Sequence, residues 1–84
     1  MTYAVRILRS AQKQLASIDR QDQPPIVAAI RALAADPRPI GSKKLSGRPA
    51  WRIRIGRYRV IYEIHGEQRV ILVITIGHRR EAYR

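Results

Sequence analysis

The chain has 84 residues, no cysteine, and 17 Lys and Arg against 6 Asp and Glu, a formal charge of +11. That length suits one small domain, 1–84, and without cysteine there is neither a disulfide framework nor a thiolate metal site. Two His make a zinc centre unexpected, so no metal or cofactor is expected. The N-terminus shows no charged-then-apolar signal pattern, and Val70 to Ile76, the longest apolar run, is too short to span a bilayer. A cytoplasmic setting is expected.

In chain order, Thr2 to Leu8 reads as a strand with Tyr3, Val5 and Ile7 on one face. Ser10 is placed to cap a helix running to about Asp19, with Ala11, Leu15 and Ile18 as its buried stripe. Asp22 to Pro25 breaks the chain, and Pro24 or Pro25 opens a second helix to about Ala35 that buries Ile26, Ile30 and Leu33. The short connection predicts an antiparallel helical hairpin. Asp36-Pro37-Arg38-Pro39 ends it, and Gly41 to Pro49 continues as a basic loop or short extended piece.

Trp51 to Tyr62 alternates apolar residues with Arg. Gly56-Arg57 suits a two-residue hairpin turn with Gly first. That turn pairs Ile55 with Tyr58, Arg54 with Arg59, Ile53 with Val60, Arg52 with Ile61 and Trp51 with Tyr62. One face then carries Trp51, Ile53, Ile55, Tyr58, Val60 and Tyr62, and reads as core. The other carries Arg52, Arg54 and Arg59. Two Arg directly opposite each other repel, which makes sense if a polyanion sits on that face. A second turn follows at Gly66, with a loop of two or four residues, and Arg69 to Gly77 forms a central strand apolar on both faces. The fold class is therefore α+β: an N-terminal strand, two helices, then a three-stranded antiparallel meander in one small twisted sheet.

Between Asp36 and Glu63 there is no acidic residue, yet Arg38, Lys43, Lys44, Arg48, Arg52, Arg54, Arg57 and Arg59 all fall there. Arg52, Arg54 and Arg59 are candidate phosphate ligands, because a guanidinium binds phosphate oxygens in pairs. Lys43, Lys44 and Arg48 are candidates for tracking a nucleic-acid backbone. Past the last strand stand His78, Arg79, Arg80 and Tyr83. These residue types suit RNA cleavage: Arg stabilises the pentacovalent phosphate, and His78 or Tyr83 moves the protons. A phenol near Arg is easier to ionise, and Tyr83 can equally stack on a base. Glu63 and Glu81 read as ion-pair partners of Arg, and His65 as exposed at a hairpin tip.

The order of Lys44-Leu45-Ser46-Gly47-Arg48-Pro49, Trp51-Arg52-Ile53-Arg54-Ile55, Tyr58-Arg59-Val60-Ile61-Tyr62 and Ile76-Gly77-His78-Arg79-Arg80-Glu81-Ala82-Tyr83-Arg84 resembles the RelE/ParE superfamily of small bacterial toxins, the RelE branch in particular. The resemblance implies the toxin of a type II toxin–antitoxin system. It implies a metal-independent endoribonuclease that enters the ribosomal A site and cuts mRNA by attack of the 2′-hydroxyl. It also implies a cognate antitoxin, with the pair often acting on operator DNA. By the same resemblance, Arg52 and Arg54 are the two basic positions of the second strand, and Arg59, Arg79 and Tyr83 belong to the cutting site. RelE toxins carry Lys at one or both of the positions that are Arg52 and Arg54 here. Arg effectively never loses its proton, so the base falls to Tyr83 or His78. The chain stops one residue after Tyr83, and the C-terminal helix of longer relatives is not expected. Two other readings remain: a ParE-like gyrase inhibitor that cuts no RNA, and a non-catalytic nucleic-acid-binding module.

Overall fold

The computed structural model describes residues 2–78. Strand β1, Ala4–Ile7, leads through Leu8 into helix α1, Arg9–Ala16. A single 3-10 turn, Arg20–Asp22, precedes helix α2, Gln23–Ala32, and the short strand β2, Lys43–Lys44, follows a loop. Strands β3, Ala50–Ile55, β4, Tyr58–His65, and β5, Val70–His78, complete one five-stranded sheet in the order β1-β5-β4-β3-β2. The α+β class holds, with one strand more than expected, because Lys43 and Lys44 pair antiparallel with Arg52 and Trp51. β1 closes the other side by pairing in parallel with β5, Ala4 beside Val70 through Ile7 beside Val73.

Both helices are shorter than the spacing predicts, and their starts differ. Leu8, not Ser10, stands at the N-cap of α1, without a side-chain cap. Ser10 lies inside the first turn, because the chain must enter the helix directly from β1. Pro24 does occupy the first turn of α2, where its missing N–H has no intrahelical acceptor to lose. The end of α2 tightens through Leu33, Ala34 and Ala35, each N–H bonding a carbonyl three residues back. There the Tyr3 N–H bonds the Ala34 carbonyl at 2.7 Å, which ties the chain start to this turn.

Ile26 and Ile30 of α2, Leu33 just past its end and Ala11 of α1 are buried with Ile53, Val60, Tyr62, Ile71, Val73 and Ile76 of the sheet, so the helices cover one sheet face. Leu15 and Ile18 pack partly buried against this core, as do Trp51, Ile55 and Tyr58. Two phenols fasten it to the loops. The Tyr62 hydroxyl donates to the Pro37 carbonyl at 2.6 Å, and the Tyr58 hydroxyl donates to Asp22 Oδ2 at 2.9 Å.

The β3–β4 register is the predicted one in all five pairs, with Ala50 beside Glu63 added. Gly56 has φ of +60° and Arg57 has no positive φ, which suits the expected turn with Gly first. The second hairpin closes at His65 beside Val70, so its loop is the four-residue one, Gly66 to Arg69. Between Ile61 and Tyr62 the β4–β5 register slips, from Ile61 beside Thr75 to Tyr62 beside Val73, and Ile74 is the extra residue.

Candidate functional site

The face of the sheet turned away from the helices carries the basic residues. Alternation from the buried Ile53, Val60 and Ile76 places Arg52 and Arg54 of β3, Arg59 of β4 and Gly77 of β5 on it. Arg54 lies directly across from Arg59, and Arg59 directly across from Gly77. Lys43 lies across from Arg52 on the β2 side. Four cations from three adjacent strands therefore share one surface, beside a position with no side chain.

Exposure separates the three arginines. Arg59 is 2 % exposed and Arg52 6 %, whereas Arg54 is open to solvent. A freely solvated arginine face, the plain structural expectation for alternating Arg, is therefore found only at Arg54. Next to Arg52 and Arg59 the same face holds a small apolar cluster, Ala50 and Ile61 with Leu45 and Ile74 packed against them. Guanidinium groups with their charge removed from water act strongly on a nearby anion, because the local dielectric is low. Lys43, Lys44 and Arg48 are exposed. Lys44 pairs with Trp51 and so belongs to the helix-covered face, and Arg48 lies in the turn joining β2 to β3. There Arg38 stacks over the Trp51 ring at 5.2 Å.

His78 is not part of the arginine surface. It pairs with Tyr58, on the helix side, and its ring meets the Tyr58 ring edge-on at 6.0 Å. The same alternation that brings Gly77 to Arg59 turns the next residue to the opposite face. His78 there lines a cleft of about 250 Å³ with Gln14, Ser17, Asp19 and Tyr58. Arg79 and Tyr83, the remaining cutting-site candidates, lie outside the described residues, as do Arg80 and Glu81. Glu63 pairs with His65 at 2.9 Å. His65 is exposed, as expected.

Tyr58 and Tyr62, on the helix-covered face, hold their protons more tightly than a free phenol does. The hydrogen bond to Asp22 raises the Tyr58 pKa above its ordinary value, and burial raises that of Tyr62. Neither is poised as a base. No group of three metal-ligating side chains occurs among the described residues, and no helix among them is long and apolar enough to cross a membrane.

Residues 5–83 match the family described as the ParE toxin of type II toxin–antitoxin systems, parDE. The chain belongs to this family of toxins. No curated protein sequence matches it. Among solved structures, it is similar to the archaeal RelE–RelB complex from Pyrococcus horikoshii OT3, at 29% identity and a TM-score of 0.83 over 94% of this chain and 97% of that one. It is also similar to the RelBE2 toxin–antitoxin complex of Mycobacterium tuberculosis, at 24% identity and a TM-score of 0.82, covering 94% and 100%. A mutant of the Escherichia coli toxin RelE in the free state matches at 22% identity and a TM-score of 0.83, covering 99% and 90%. The last two share the fold. The RelE/ParE resemblance carried by the sequence motifs is thus established, and the chain is a toxin of a type II toxin–antitoxin system.

Two structural contributors carried no signal in the sequence. Asp22 holds Tyr58, and the Gln14 side chain accepts a hydrogen bond from the Ile76 N–H at 2.9 Å across 62 residues. A lone polar residue whose partner is a distant backbone group leaves no pattern to read.

Proposed function

We propose that this toxin is a ribosome-dependent endoribonuclease that cleaves mRNA in the A site and so stops translation. The observation that carries the reading is the row Arg54–Arg59–Gly77, in which a nearly buried arginine lies between a second arginine and a residue without a side chain.

In this mechanism the 2′-hydroxyl oxygen attacks the adjacent phosphorus and the bond from phosphorus to the 5′ oxygen breaks. A cyclic phosphate and a 5′-hydroxyl result, the proton of the first hydroxyl leaving to a base and the second oxygen taking one from an acid. Arg59 and Arg52 meet the charge that grows on the phosphate oxygens, where fixed donors are worth most. Arg54 and Lys43 draw the strand in, Arg48 contacts its backbone further out, and Lys44, on the helix-covered face, is set aside. Arg79 and Tyr83 complete the site, with Tyr83 as base or acid. His78 is set aside from the proton transfers, since its neighbours are Tyr58 and α1. No metal takes part in this reading. The structures of RelE with RelB among its neighbours support a cognate antitoxin as the partner.

The test is primer extension on ribosomes programmed with mRNA and purified toxin. Cuts within the A-site codon that disappear with Arg59→Ala support the proposal. The family's description as a ParE toxin favours one other reading, gyrase inhibition without RNA cleavage. Intact mRNA together with arrested gyrase supercoiling would establish that reading instead.

A further inference from the structure

Strand β5 outruns the strand beside it. β1 ends at Ile7, level with Val73, and β5 continues from Ile74 to His78. The last backbone bond on that side runs from the Leu8 N–H to the Val73 carbonyl at 3.0 Å. Beyond it, among the described residues, no strand pairs with that edge of β5, and a partly buried N–H there needs another acceptor. Helix α1 begins two residues after β1 and lies against β5. Its Gln14 supplies the acceptor: Oε1 takes the bond from the Ile76 N–H at 2.9 Å. A side-chain carboxamide thus stands where a longer β1 would have put a backbone carbonyl.

Ile76 is the residue before Gly77, and Gly77 is the partner of Arg59. We infer that Gln14 is a positioning residue for the phosphate site: its carboxamide oxygen fixes the end of β5 and keeps Gly77 level with Arg59. This rests on the ribonuclease reading. Gln14 touches no substrate; it acts through the strand. The competing account is that it only satisfies a partly buried amide. In that case its loss lowers stability, and the folded protein cuts as before.

Two measurements on the full chain separate these accounts. One is hydrogen exchange of the Ile76 amide by NMR. The other is the kcat and KM of cleavage on programmed ribosomes. Gln14→Met keeps the length of the side chain and removes the acceptor, whereas Gln14→Glu keeps an acceptor oxygen. Gln14→Asn, one methylene shorter and still polar, draws the oxygen back and replaces the Met variant if that one folds poorly. We expect Gln14→Met to speed Ile76 exchange and to lower kcat by about 10-fold with KM unchanged, since misplacement of even about 1 Å in a catalytic array can lose more than that. Gln14→Glu should restore both. Faster Ile76 exchange with wild-type kcat overturns the inference, as does a loss of kcat that Glu fails to restore. Equal Ile76 exchange in wild type and Gln14→Met overturns it whatever the activity. A wild-type protein that leaves mRNA intact overturns the ribonuclease reading and the catalytic role of Gln14 with it, while the exchange rates still decide whether Gln14 holds the strand end.

Discussion

Arg59 keeps a charge in a place where 2 % of the residue meets solvent, with a second arginine directly across the strand pair. Removing a charge from water is unfavourable, and like charges in register add to it. Arg59→Ala should reduce mRNA cleavage by on the order of 100-fold, the usual loss when one fixed donor to a developing negative charge is removed. Arg59→Lys should recover little of it, because an ammonium lacks the planar pair of donors. Rates on programmed ribosomes check both. Tyr62 is a buried polar group that stabilises. Its hydroxyl donates to the Pro37 carbonyl at 2.6 Å, and Tyr62→Phe should lower unfolding free energy by about 1–3 kcal/mol by leaving that carbonyl unmatched. Burial also raises its pKa in the folded chain. The folded state therefore holds the phenol proton more tightly than the unfolded state does. The resulting stability is complete below the ordinary phenol value of about 10 and is lost as pH rises through the raised folded value. Tyr58, raised by its bond to Asp22, acts in the same direction. Urea midpoints should fall above about pH 10, and less steeply in Tyr62→Phe.

The elements differ in how openly the chain announces them. The β3–β4 hairpin is legible because polar and apolar residues alternate on both strands around a Gly that the turn requires. All its pairs follow from that pattern. The β4–β5 pairing is not. Val70 to Ile76 is apolar at nearly every position, so a one-residue slip leaves the composition of each face unchanged, and the bulge at Ile74 has no signature. The four-residue loop is likewise decided by packing, and it forces Arg69 to φ of +55°. Arg69→Gly should relieve about 1–2 kcal/mol of backbone strain, partly offset by the greater freedom of Gly when unfolded, and raise Tm by a few degrees in a thermal melt. The helices were placed by their apolar spacing, and Ile26, Ile30 and Leu33 are buried as that spacing requires. Their ends were not, since β1 and the turn after Ala32 set them. Leu33→Ala should destabilise the protein by about 2–5 kcal/mol, a large part of the roughly 4–13 kcal/mol typical for a chain of this size. Chemical denaturation measures it.

At the scale of the assembled sheet, charge and topology act together. An excess of 11 positive charges predicts affinity for a polyanion, with log affinity falling linearly with log salt. Lys43→Ala and Arg48→Ala should each weaken RNA binding and reduce that slope by about 1, if each neutralises one phosphate. Filter binding over a range of salt concentrations reads this directly. Composition, alternation and turn chemistry were sufficient for the class of fold, the arginine face and the apolar face, because each depends on near neighbours in sequence. Burial of Arg52 and Arg59 and exposure of Arg54, the parallel seat of β1, the turning of His78 away from the arginines and the Gln14 bond to Ile76 arise differently. Each needs two segments far apart in the chain to meet, and one-dimensional spacing carries no record of which distant groups will end up side by side.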